Sequence, residues 1–315
     1  VTDLQARPMI EVCGGVPSER QCLHRFPARP VASRVRRFLP GRGRPMVGPW
    51  CLIDEFDIPA DSRANGVGPH PHCGLAMLTW VLSGRLQHRD SLGGATMLEA
   101  GQGTLLRAGR GVSHAEERPD GVALHALQLW MVQPAAARRD DPCLTELRPT
   151  MLQLPAISGA VLLGTVAGVR SAAPHDWPAV AAVISVEPGA GTKGTVSWLP
   201  LHRRYEHALI ALQPGLTIDD DLVPPGALVY LGSHRDGVEV SSRPGTRFLL
   251  IGGLPFDEQV LMWWNFIADR HEDLVSARAL WSAHTPRFGT VTDSSRPRVV
   301  PPVIPQDSRA GRSTP

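Results

Sequence analysis

Two short stretches carry residue types that bind metals. Pro69-His70-Pro71-His72 sets two histidines one residue apart, and Ser113-His114-Ala115-Glu116 sets a histidine and a glutamate at the same spacing. Side chains alternate along a β-strand, so residues i and i+2 share a face. On strands, His70 and His72 therefore point together, and so do His114 and Glu116. Two such strands facing each other across a small barrel would bring three imidazoles and one carboxylate to one point. That is a full ligand set for one divalent first-row metal, with positions left for water, substrate or dioxygen. Such donors accept iron, nickel, copper, cobalt or manganese, and affinity order alone does not choose among them.

These residues need a scaffold of short strands, and the sequence supplies one. Of 315 residues, 43% are hydrophobic, and 31 Gly and 30 Pro suit strands joined by turns. Residues 50–56 read as a buried strand, 61–68 as a polar loop leading to His70, and 76–82 as an apolar strand. Ser83-Gly84 reads as a turn with 86–89 completing a hairpin. Residues 104–107 form a strand before a tight turn at 108–111, and 122–132 a long apolar strand that closes a first barrel. The domain reading is an N-terminal extension over 1–30, a metal-binding domain over 31–135, a polar linker over 136–150 and a second, metal-free domain over 151–290. Strands of the second domain are expected at 160–166, 179–187, 194–199, 206–212, 227–231, 238–240 and 248–253, separated by Pro-Gly turns. Residues 273–281 have helical spacing, with Leu274, Ala277 and Leu280 as the apolar face. The tail over 291–315, rich in Pro, Arg and Ser, is expected to be disordered.

Composition excludes several classes. The net charge of +2 argues against direct nucleic-acid binding. No run of about 18 apolar residues predicts a membrane span. The first residues lack a basic head and apolar stretch, so no signal peptide is expected. Five scattered cysteines without a CxxC pair fit a reduced, cytoplasmic protein. Lys193 is the only lysine, and the arginines of residues 34–44 form a basic cluster, read as a solvated loop rather than an anion or partner surface.

The motifs resemble the pirin family. His70-Pro71-His72-Cys73-Gly74, Val81-Leu82-Ser83-Gly84 and His88-Arg89-Asp90-Ser91-Leu92-Gly93 are similar to the first half of its signature. Ala108-Gly109-Arg110-Gly111-Val112-Ser113-His114-Ala115-Glu116 and Leu127-Gln128-Leu129-Trp130 are similar to the second, and Met46-Val47-Gly48-Pro49-Trp50 and Asp54-Glu55-Phe56 also match. The resemblance spans residues 31–134. It implies an all-β fold of two tandem cupin (jelly-roll) β-barrels with a short C-terminal helix. It also implies one iron, Fe2+, held by His70, His72, His114 and Glu116. The usual cupin glutamate position after the second histidine is Ala76 or Met77 here, and the usual asparagine is Arg118. The carboxylate must therefore come from Glu116, as in pirins.

Family members are associated with quercetin 2,3-dioxygenase activity. The resemblance thus implies a flavonol-like substrate and O2, with ring cleavage and release of carbon monoxide. In that chemistry Glu116 would take the proton of the flavonol 3-hydroxyl. The rival is a redox-sensitive metal-binding regulator that acts through a protein partner, as the human member acts in transcription. A large apolar cavity over the metal favours the enzyme. A polar one rimmed by Arg107, Arg110 or Arg118 favours the partner. His88 and His125 read as structural histidines, with a place supporting the metal ligands as the alternative, and Cys73 as a packed thiol pointing away from the metal. His202 and His207, five apart, fall on opposite strand faces and with Glu206 cannot form the same cage without a bulge. Trp263 and Trp264 read as inter-domain packing.

Overall fold

The computed structural model of the protein describes residues 11–13, 24–32, 34–41, 43–186, 195–243 and 245–304. Arg42, Lys193 and the last part of the tail lie outside these residues. The fold is all-β with two tandem barrels and one α-helix, His271–Ser282. The N-terminal part supplies β1 (Glu11–Cys13), β2 (His24–Pro27), β3 (Arg29–Ala32), β4 (Val35–Leu39), β5 (Trp50–Ile58) and β6 (Gly66–His72). It continues with β7 (Leu75–Asp90), β8 (Ala95–Glu99), β9 (Gly103–Arg107), β10 (Val112–Glu117), β11 (Leu124–Val132) and β12 (Cys143–Glu146).

The first barrel has two layers. One runs β12-β9-β7-β11-β5-β4-β3; β6, β10 and β8 join the later part of β7 to form the other. The expected hairpin at Ser83-Gly84 is instead one strand of 16 residues that passes from one layer to the other. Residues 75–84 pair with β11 and residues 85–90 with β8 and β10. Gly84 lies at the crossing with φ +86, and a Cβ there would collide with the Ala123 carbonyl. A glycine thus bends the chain where a turn was read.

Alternation along β7 explains why both its faces are apolar. Leu75, Met77 and Val81 point into the first barrel, while Ala76, Leu78, Trp80 and Leu82 join a core shared with the second domain. β11 repeats the pattern: Leu124, Ala126, Trp130 and Val132 face inward, and Leu127, Leu129 and Met131 face the other domain. Against them lie Leu163, Ala181, Val183, Ile210, Leu249 and Ile251 of the second sheet. A fully buried Leu or Ile contributes about 1.5–3 kcal/mol, so this row makes the two barrels one packed body.

The second sheet runs from Thr150–Leu154 through Ile157–Leu163, Ala179–Val186, Arg247–Gly253, Glu206–Ala211 and Ala227–Gly232 to β2. β2 therefore belongs to the second domain, although β3, a short step along the chain, pairs with β4 in the first. The expected linker is also built into the fold: β12 pairs with β9, and buried Arg138 bonds the Gln133 carbonyl, Glu258 and Asp269. The basic cluster is not a solvated loop. Arg37 pairs with Asp54 at 2.7 and 2.6 Å, Arg36 with Glu55 at 2.8 Å, and Arg44 lies buried over the Tyr230 ring.

Residues 292–304 differ from the disorder expected of the tail. Ser294 and Ser295 bond Glu117, the Val299 amide donates to the Pro69 carbonyl, and Arg298 stacks on Trp281. Few of these side chains are large, so hydrogen bonds and one cation–π contact hold the segment where apolar burial does not. It runs along β6 so closely that a Cβ on Gly68 would meet the Pro297 carbonyl. Gly68→Ala is therefore expected to lift this segment, and hydrogen exchange at residues 294–302 should rise several-fold. Unchanged protection would show that the contact yields without cost.

Candidate metal centre

His70 and His72 come from β6, His114 and Glu116 from β10. These strands are hydrogen-bonded neighbours, not opposites across the barrel as expected: His70 is in register with His114, and His72 with Val112. A bulge between His114 and Glu116 then sets Glu116 opposite Val67. On its other edge β10 keeps register with β7, so His114 faces Asp90 and Glu116 faces His88.

The three imidazoles converge. His72 Nε2 and His114 Nε2 are 3.0 Å apart, and the His70 ring centroid lies 4.3 Å from that of His114 and 5.0 Å from that of His72. His70 Nδ1 lies 2.8 Å from the Gly68 carbonyl, which fixes Nδ1–H and leaves Nε2 with its lone pair. Two nitrogens bound to one ion at about 2.0–2.1 Å each would sit about 3 Å apart, so the spacing fits a shared cation. Residues His70, His72 and His114 can hold a metal ion.

Glu116 stands beside this cluster. Its Oε1 accepts from Thr79 Oγ1 at 2.9 Å and its Oε2 from Gln128 Nε2 at 2.7 Å. Thr79 and Gln128 are cross-strand partners on β7 and β11. They are the polar interruption in two otherwise apolar inward-facing rows, and both are spent on this carboxylate. Sequence reading missed them. The signal was available: one polar residue at the same level of two rows that are apolar above and below.

His88 lies against this centre. It is fully buried with Asp90, its Nε2 3.1 Å from Asp90 Oδ2, and its ring is 5.4 Å from that of His114. His88, His114 and Glu116 form a second group able to hold an ion. The clue was His88-Arg89-Asp90, whose alternation puts His88 and Asp90 on one face. The other readings fall outside the site. His125 bonds Glu55 at 2.8 Å. Cys73 packs with Trp263 and Phe266, and burial pushes its thiol up to about 11. Trp263 joins that corner of the first barrel to the C-terminal helix. In the second domain, among the described residues, no group of three ligating side chains forms around His202, Glu206 and His207. Arg118 bonds the carbonyls of Ala60, Ser62, Ala64 and Val122, closing the 60–65 loop.

Burial sets the charge of the centre. It pushes His70 down to about 4 and, with His70 adding to the effect, His72 and His114 well below the ordinary value. Burial also raises Glu116, opposed by His88 and by the bonds from Thr79 and Gln128. The imidazoles are thus neutral donors at pH 7, the form a metal needs. In the metal-free protein the unfolded chain binds protons near pH 6.5, while folded His70 resists them until about 4. Stability is then complete above about pH 6.5 and falls as the pH drops through 4. His70 alone should account for about 3 kcal/mol. Urea unfolding at pH 7 and pH 4.5 measures this, and equal midpoints would contradict neutral buried imidazoles.

His72, His88 and His114 are 0% exposed, whereas His70 and Glu116 reach 8% and 9%, so the centre meets the surface on their side. Nearby, Asn65, Glu117, Arg118, Asp120, Ser295 and Arg296 line an open polar cleft of about 470 Å³.

Residues 32–131 match the family model described as Pirin, and residues 184–289 match the Pirin C-terminal cupin domain. The chain is 34% identical over 277 residues to a Pseudomonas aeruginosa protein named as a candidate quercetin 2,3-dioxygenase, covering 86% of each. It is 27% identical over 268 residues to human pirin, covering 81% of this chain and 88% of that one. The crystal structure of a quercetin 2,3-dioxygenase from Acinetobacter baumannii aligns with a TM-score of 0.84 at 32% identity, covering 91% of this chain and 97% of that one.

Proposed function

The chain belongs to the pirin family, and from that premise we propose a metal-dependent dioxygenase that opens the central ring of a flavonol such as quercetin. One divalent ion, Fe2+ by family, is held by His70, His72, His114 and Glu116. The convergence of three buried, neutral imidazoles beside one hydrogen-bonded carboxylate carries this reading. When bound, the ion supplies Lewis-acid and redox chemistry toward the substrate oxygen and O2.

The chain's own residues do the rest. Thr79 and Gln128 fix the Glu116 carboxylate. Burial raises its basicity, which suits it to take the 3-hydroxyl proton of the flavonol. The enolate so formed is electron-rich enough to react with O2, and the ring opens with release of carbon monoxide. Trp130, edge-on to His72 at 5.0 Å between ring centroids, limits how that imidazole can turn. The proposed setting is the cytoplasm, in keeping with free thiols at Cys73 and Cys143.

Anaerobic iron loading followed by aerobic assay with quercetin tests this. Loss of flavonol absorbance with carbon monoxide release is expected, absent in His70→Ala. Glu116→Gln should lower turnover by about 10²–10⁴-fold if the carboxylate is the base. Metal binding without turnover would sink the enzyme reading.

The rival is a non-catalytic, redox-sensitive metal protein that acts through a protein partner. The polar cleft beside Glu117 and Arg118 favours it. The three arginines that would rim such a surface are already engaged: Arg107 with Asp176, Arg110 with Asp141, and Arg118 with backbone carbonyls.

A further inference from the structure

His88 is built like a ligand rather than like a packing residue. Its Nε2 is set against Asp90, whose other oxygen accepts the Leu92 and Gly94 amides at 2.8 and 3.0 Å. Gly94 has no room for a Cβ, because Asp90 fills that space. The carboxylate is therefore fixed, and it fixes the imidazole. An imidazole that gives Nε2–H to a carboxylate keeps the lone pair on Nδ1, and this pairing is how metal-binding histidines are oriented. His88 Nδ1 is fully buried and has no hydrogen-bond partner. One ring nitrogen of His88 lies within 4.8 Å of a donor atom of His114 and of one of Glu116. Each Glu116 oxygen accepts one of the two hydrogen bonds that hold the carboxylate, which leaves lone pairs for a cation.

We propose that His88, through Nδ1, forms with His114 and Glu116 a second position for a divalent first-row cation, overlapping that of His70, His72 and His114. This rests on the reading that the centre holds a metal. His114 belongs to both groups, and two dications around one imidazole would repel strongly. One cation therefore has two places to sit. The first brings together the three imidazoles of His70, His72 and His114, with Glu116 beside them. The second offers two imidazoles and one carboxylate, the donor set that leaves positions open on non-haem iron.

The full chain, stripped of metal and reloaded with one equivalent of Cu(II), tests this by electron paramagnetic resonance. Two copper species are expected in the unaltered protein. His88→Gln keeps an N–H for Asp90 but has no imidazole, and it should lose one species while still binding one equivalent. His88→Phe, which keeps the ring volume, should do the same, so a folding defect in either variant leaves the other to decide. A single species that neither variant changes would overturn the second position but leave the metal centre standing. Failure of the unaltered chain to bind copper would overturn both.

Discussion

His114→Ala is expected to abolish metal retention and flavonol turnover together. His114 is the residue that the two donor groups share, so its loss takes an imidazole from both. His70→Ala, by contrast, leaves His88, His114 and Glu116 in place and should retain weak binding. In His114→Ala the centre keeps His70, His72 and Glu116 of its four proposed donors, and the three converging imidazoles are reduced to two. Each tenfold of affinity is about 1.4 kcal/mol, and losing a whole ligand should exceed the 10–100-fold typical of losing only an orienting partner. The fold should survive, because β10 keeps its backbone pairing to β6 and β7. Metal content after gel filtration and carbon monoxide release measure the two losses. A variant that keeps one tight equivalent would remove His114 from the centre.

The largest effect on stability is expected far from the metal. Glu206, at the start of Glu206–Ala211, accepts from Tyr230 Oη at 2.7 Å and from the Gly48 amide of the first domain at 2.7 Å. Arg44, stacked on Tyr230 at 3.7 Å, lies 4.0 Å from it, with both side chains nearly inaccessible. Burial, and then Glu206 itself, raise the Tyr230 phenol, so it stays a donor. Glu206→Ala would strand a buried hydroxyl, an amide and a guanidinium between the domains. Breaking a buried charge pair this way costs about 3–5 kcal/mol. Glu206→Gln retains an acceptor and should cost about 1–2 kcal/mol. Urea unfolding of the three proteins gives the comparison, and equal loss in both variants would show that the charge, not the hydrogen bonds, is what the interface requires.

Glu206 also shows why part of the molecule was not legible in sequence. Beside His202 and His207 it invites a metal reading, which the five-residue spacing discouraged. Nothing local says that it reaches into the other domain to Gly48. The same limit applies to β2, whose partner strand is some two hundred residues away. Residues 292–304 fall here too, since their bonds to Glu117 and Pro69 cross the whole chain.

What the sequence determined by itself is the local part of the centre. His70 and His72 share a face, as do His114 and Glu116, because strand alternation is set by bonded geometry and needs no knowledge of neighbours. The apolar runs over 76–82 and 122–132 likewise marked buried strands. Only the tertiary structure decided that β6 and β10 lie side by side, that β7 bends at Gly84 instead of turning back, and that His88, Thr79 and Gln128 reach Glu116. These are matters of pairing and register. Register depends on which strand lies opposite, and a slip of one residue would send every side chain to the other face. That choice is made by the packing of the whole barrel, not by any short stretch of it.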